Sequence, residues 1–193
     1  MQENEGIKWL TEAAEENDLE AQKRLAEEYV IGKHVNQDFE KARYWMEKAA
    51  STNDVESIYG LALILHHVDN PHRDIDKAAI YLEKAAEMGS VDAETSLGIH
   101  YYEIPDNKKA LYWLKRATNH GDAEAELYLA HMYNQGRGVS KDIEKSKKLI
   151  ASSAKKGNEE AKELLKQISA SSTGCLIPII SMILTILGLV AIL

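Results

Sequence analysis

Cysteine is almost missing from this chain. Of 193 residues only Cys175 carries a thiol, so no intramolecular disulfide can form and the body suits a reducing, cytoplasmic compartment. Basic residues are outnumbered as well. The formal net charge is −8, from 23 lysines and arginines against 31 aspartates and glutamates, which argues against nucleic acid, a partner that wants a clustered basic face. The start, Met1-Gln2-Glu3-Asn4-Glu5, has no basic and then apolar run of the kind a secretory signal requires. Catalytic constellations are missing too. Gly136 and Gly138 have no preceding strand and no following lysine–hydroxyl pair, so they read as a helix–helix turn and not a phosphate cradle. His66, His67 and His72, near Asp69 and Asp74, match no metal-ligand spacing, because adjacent histidines on a helix point about 100° apart. They read as surface histidines around a loop. No catalytic residue, metal or cofactor is expected, and a metal-dependent enzyme or enzyme subunit built on those histidines is the alternative of another class.

What the chain does have is a beat. Lys48-Ala49-Ala50 and Lys84-Ala85-Ala86 recur in altered form as Arg116-Ala117-Thr118 and Ser152-Ser153-Ala154. Each run is followed by a punctuation residue, and with Asn17 these are Asn53, Gly89, Gly121 and Gly157, spaced by 36, 36, 32 and 36. A period of that size signals stacked supersecondary units. Eight residues before each punctuation stand Trp9, Trp45, Tyr81, Trp113 and Leu149, and twelve before stand Lys41, Lys77, Lys109 and Lys145. Four after come Ala21, Ser57, Ala93, Ala125 and Ala161, and eight after come Leu25, Leu61, Leu97, Leu129 and Leu165. Such spacing places these residues on one helical face. Asp18, Asp54, Ser90, Asp122 and Asn158 open one helix of each pair as N-caps, and Asp38, Asp74, Asp106 and Asp142 open the other.

These residues resemble the Sel-one-like repeat family, relatives of the tetratricopeptide repeats, whose pattern runs AxxxLGxxYxxGxGVxxDxxKAxxWYxKAAxxG. The fourth unit carries Ala125, Leu129, Ala130, Tyr133, Gly136, Gly138, Val139, Asp142 and Lys145, and the first carries Ala21, Leu25, Ala26, Tyr29, Gly32, Asp38, Lys41, Ala42 and Trp45. The third unit lacks the glycine loop and passes through Pro105-Asp106, which explains its shorter step. The resemblance implies an all-α superhelix, a solenoid of about four helix-turn-helix repeats. An orphan helix occupies residues 1–17, and the solenoid occupies 18–168, with units at 18–53, 54–89, 90–121 and 122–157 and a closing helix at 158–168. It also implies a binding scaffold, since repeats present extended surfaces. In tetratricopeptide-like solenoids the first helix of each pair lines the concave groove. The expected partner-binding residues are therefore Tyr59, Leu63, His66 and His67 in the second unit, Thr95, Ile99 and Tyr102 in the third, and Leu127, His131 and Asn134 in the fourth. Lys23, Glu27, Val30 and Ile31 hold the matching places in the first. The occupant is a protein or peptide; an immunity or regulatory protein that neutralises one toxin or enzyme is the alternative within the binding class.

The end of the sequence obeys different physics. From Gly174 to Leu193 no side chain is charged, and Leu, Ile and Val fill twelve positions. As a helix, residues 175–193 would span about 28 Å, close to the ~30 Å hydrocarbon core, and they offer no polar face for packing on a globular body. A single transmembrane helix is expected there, after a polar hinge at 169–174. Lys155, Lys156, Lys162 and Lys166 precede the span and nothing charged follows it, which places the repeats on the cytoplasmic side. Whether the chain self-associates is open; Ser181 and Thr185 form only a weak small-residue pair for helix dimerisation. Deleting residues 175–193 is expected to move the protein from carbonate-washed membranes into the supernatant. Retention on the membranes without them would refute the anchor.

Overall fold

The computed structural model describes residues 5–170. Among them the chain forms ten α-helices: α1 Glu5–Glu15, α2 Leu19–Ile31, α3 Phe39–Ala50, α4 Val55–His66, α5 Ile75–Glu87, α6 Val91–Glu103, α7 Asn107–Asn119, α8 Ala123–Gln135, α9 Ile143–Lys155 and α10 Glu159–Ala170. No strand occurs among the described residues. The chain divides into two compact units, the first ending at Ala93 and the second starting at Glu94. In the first, α1 to α5 pack each on the next; in the second, α7 to α10 do the same. Ser169 and Ala170, expected in a hinge, are the last residues of α10. The rest of that hinge, and the expected span at 175–193, lie outside the described residues. Among the described residues no helix is long and apolar enough to cross a membrane.

The beat has a stereochemical cause. Asn17, Asn53, Gly89, Gly121 and Gly157 all have positive φ, between 62° and 103°. That left-handed conformation is open to glycine and tolerated by asparagine. It turns the chain within a short connection, and at four of these turns the next residue serves both flanking helices. Ser90, Asp122 and Asn158 return their N–H groups to the carbonyls of Ala85, Ala117 and Ser153 at 3.0, 3.1 and 3.2 Å, closing the preceding helix. Their side chains then accept the N–H of Ala93, Ala125 and Ala161 at 3.2, 2.6 and 2.9 Å, opening the following one. The other turn of each pair also repeats. Asp38, Asp74 and Asp142 donate their N–H groups to Tyr29, Leu65 and Tyr133, each at 2.9 Å.

Small residues at the helix ends let backbones approach, and Ala14, Ala49, Ala85 and Ala117 are fully buried there. The lysine row has a packing role as well. Lys41, Lys109 and Lys145 sit over the rings of Tyr29, Tyr101 and Tyr133 at 5.2, 4.5 and 4.2 Å, joining the two helices of a repeat by cation–π contact. Buried polar groups tie the same helices at the opposite end. Glu94, fully buried on α6, is ion-paired with Arg116 of α7 at 2.8 Å and hydrogen-bonded at 2.9 Å to His120, which caps the end of α7. Glu126 on α8 takes Lys156, which caps the end of α9, at 2.9 Å and the hydroxyl of Ser152 at 3.0 Å.

Two positions depart from the pattern. Trp45 and Trp113 are buried, but Trp9 of α1 is 66% exposed. In α10 the core residue is Leu164, packed with Leu127, Ile150 and Ala161. Leu165, which the eight-residue spacing selects, is exposed. Each helix end lies at the edge of a stack, where one flank has no neighbour among the described residues.

Glycine at position 98 reflects a close crossing. A Cβ there would lie 2.6 Å from both Cγ and Cδ2 of Leu114 and 3.1 Å from its backbone nitrogen. Gly98→Ala gains about 1 kcal/mol of helix propensity but overpacks a fully buried leucine, at about 1–3 kcal/mol. The expected outcome is a lower urea midpoint, a net loss of up to about 2 kcal/mol. A higher midpoint would refute the close crossing.

Candidate functional site

The first helices of the repeats, α2, α4, α6 and α8, each carry one stripe of exposed and half-buried residues. It runs three, seven, ten and fourteen residues after the punctuation. In the first unit the stripe consists of Glu20, Arg24, Glu27 and Ile31 on α2, and Glu56, Gly60, Leu63 and His67 on α4. In the second it includes Glu124, Tyr128, His131 and Gln135 on α8, and α6 contributes Ser96, Ile99 and Glu103.

This corrects the expected register. Of the residues expected to line a groove, Leu63 is open at 45%, His66 is exposed, and Tyr59, His67, Ile99 and His131 are half-buried. Thr95, Tyr102, Leu127 and Asn134 are buried, at 5, 7, 1 and 3% exposure, and cannot receive a partner. The physical reason is a rotation of the helix by about one position. The place six residues after the punctuation faces neighbouring helices, so Leu127 joins the core around Ala130, Ile150 and Leu164. Tyr102 is held by packing: the Arg137 guanidinium lies 3.8 Å from its ring centre and Tyr128 stacks edge-on at 5.4 Å. Gly60, Glu124 and Tyr128 were missed. The signal was present in the recurring first-turn carboxylates Glu20, Glu56, Asp92, Glu124 and Glu160, which favour the helix N-terminus and also mark which face stays wet.

The histidines near the α4–α5 loop do not converge. The His67 ring lies 5.0 Å from that of Phe39, and His72 faces Glu40 at 3.7 Å. Among the described residues no group of three or more metal-ligating side chains occurs.

The carboxylate row meets two different environments. In the first unit the buried Lys23 ammonium bridges Glu20, at 2.8 Å, and Glu56. The hydrogen bonds it donates to both carboxylates hold it well above the usual lysine range. In the second unit the place of Lys23 is taken by Leu127. Burial, then the charges of Asp122 and Glu160, raise Glu124 above the usual carboxylate range, and burial raises Glu160. The Tyr128 hydroxyl is pushed up to about 12, first by burial and then by Glu124, Glu103 and Glu160. This surface therefore pairs an aromatic ring with carboxylates that lack a bridging lysine, an arrangement suited to a cationic or apolar contact and lacking a nucleophile–base pair.

His131 lies 6.0 Å from Tyr128, centre to centre, and burial lowers its pKa to about 4. Its neutral form is the folded form. Below about pH 6.5 the unfolded chain takes up a proton that the folded chain refuses until about pH 4, so stability falls across that window, by at most about 3 kcal/mol. The raised carboxylates Glu124 and Glu160 act in the opposite sense, because the folded state binds their protons more readily. Comparison of the protein with His131→Leu isolates the histidine. Urea midpoints should drop more steeply from about pH 7 to about pH 4.5 for the unsubstituted chain, and parallel slopes would refute the assignment.

The same fold recurs among known proteins. A family model described as Sel1 repeat matches residues 2–18, 19–54, 55–90, 91–122 and 123–158. Over 79 residues, 40% of this chain, it is 30% identical to the DAP3-binding cell death enhancer 1 of Rattus norvegicus, of which it spans only 16%. A Sel1 repeat protein from Oxalobacter formigenes is similar with a TM-score of 0.72 at 28% identity, covering 82% of this chain and 66% of that one. The antigen c5321 of uropathogenic Escherichia coli, described as displaying an SLR fold, has a TM-score of 0.76 at 24% identity, covering 87% of this chain and 37% of that one. Five consecutive family matches, one on the single helix α1 and four on successive helix pairs, make this chain a member of the Sel1 repeat family.

Proposed function

We propose that this protein is a membrane-tethered adaptor that binds a protein or peptide partner through the open stripes that its first helices carry in each unit. The observation that carries the reading is the chemistry of that stripe. In the first unit Ile31 and Leu63 are large apolar side chains exposed beside Glu27. In the second, Tyr128 stands among Glu103, Glu124 and Glu160. Apolar anchors ringed by carboxylates fit an amphipathic, basic segment of a partner. Sel1 repeat proteins serve generally as interaction modules, and a relative named for binding another protein supports a partner of that class. The apolar segment 175–193 supports the tether, and the lysines before it support a cytoplasmic repeat domain. Tethering would raise the local concentration of the partner at the bilayer and so strengthen modest affinities.

Cross-linking in membranes with the full chain tests this. Leu63→Glu, at an exposed position, and Tyr128→Glu, at a half-buried one, are expected to reduce recovery of a specific partner about tenfold while circular dichroism stays helical. The same partners at the same yield from both variants would overturn the reading. A single target held at nanomolar affinity would favour neutralisation of one toxin or enzyme over a scaffold.

A further inference from the structure

Within the first unit, α2 and α4 border a cleft of about 250 Å³ lined by Val30, Ile31, Met46, Gly60, Leu63 and Ile64. It owes its depth to Gly60. Glycine in a helix interior costs about 1 kcal/mol relative to alanine, and the matching place in other repeats holds Arg24, Ser96 or Tyr128. A Cβ at residue 60 would lie 2.9 Å from Cε of Met46. With no side chain there, the Met46 thioether forms the floor and adapts to whatever enters. The volume is below the roughly 300–1,000 Å³ of small-molecule sites, which fits one aliphatic side chain better than a metabolite.

The charges around the cleft select what flanks that side chain. Glu27 stands at its edge with no ion-pair partner among the described residues, and His67 stands opposite. Further along the same face Glu20 and Glu56 share the ammonium of Lys23, and Arg24 is exposed between Glu20 and Glu27, so three carboxylates face two cations and one carboxylate is in excess. Glu28 is turned to His34 at 2.8 Å, and Asp69 lies 3.9 Å from His67. From both helices, then, the face is acidic around an apolar hole. Building on the partner-binding reading above, we propose that this cleft is the anchor pocket for a leucine or methionine side chain of a basic peptide, with an adjacent lysine or arginine meeting Glu27.

The test uses the full chain in non-ionic detergent, methyl-labelled for NMR, titrated with a short lysine–leucine–lysine peptide. Its alanine-centred and glutamate-flanked analogues serve as controls. Methyl signals of Val30, Leu63 and Ile64 should move saturably with the first peptide. Binding should weaken about tenfold when the peptide leucine becomes alanine. Glu27→Gln should weaken it about threefold and flatten its salt dependence, and the glutamate-flanked analogue should leave the signals still. Gly60→Leu fills the cleft and should abolish binding; Leu63→Ala, at an exposed position, should weaken it if Gly60→Leu fails to fold. Equal binding of the leucine and alanine peptides, or signals that move only elsewhere, would overturn the pocket. If the cross-linked partner is still captured in that case, the pocket fails alone; if capture is also insensitive to Leu63→Glu, the wider reading fails with it.

Discussion

Everything in this fold hangs on one residue per repeat that must turn the chain left-handed. At Asn17, Asn53, Gly89, Gly121 and Gly157 the backbone takes positive φ, and that one residue turns the chain within a connection of three or four residues. The residue that follows is shared. Where it is Asp122, its N–H closes α7 on Ala117 and its carboxylate opens α8 on Ala125. A cap is worth about 1 kcal/mol by itself, but here it also fixes the direction of the next helix. The small, buried residues before the turn follow from the same demand, because so short a connection brings the two backbones close together.

The second recurring element is the pairing of the two helices within a repeat at both ends. At one end a lysine lies over a tyrosine ring, as Lys145 does over Tyr133. At the other, in the second unit, a buried carboxylate meets a cation at the end of the neighbouring helix, as Glu126 meets Lys156. A buried charge is costly unless paired, and the cations stand where the C-terminal end of a helix favours them. These contacts leave the apolar middle to set the packing and consume most polar groups that could otherwise be mistaken for catalytic ones. Glu94, Arg116 and His120 come together in a way that resembles an active site, yet the carboxylate is wholly buried and serves as a brace.

The first-turn carboxylates show how one sequence position can take two roles. Glu20 and Glu56 share the ammonium of Lys23, which ties α2 to α4. Glu124 and Glu160 have Leu127 where a lysine would stand, so their charge is directed at whatever approaches Tyr128. A single substitution in a helix interior thus decides whether an acidic row is structural or presented.

The sequence by itself determined the helix pairs, their caps and the five turns, because each depends on residues a few places apart: an aspartate three residues before the N–H it accepts, a glycine or asparagine where φ must be positive. It also identified the apolar end of the chain as chemically distinct. Tertiary structure decided which helical stripe stays open. That depends on how far each helix is rotated against its neighbours, and a rotation of one residue moved Leu127, Thr95, Tyr102 and Asn134 inside while bringing Gly60, Glu124 and Tyr128 to the surface. A repeat period fixes spacing along the chain and leaves that rotation free; it is set by side-chain volume, the thioether of Met46 against Gly60 and the isobutyl group of Leu114 against Gly98, which only packing in three dimensions brings together.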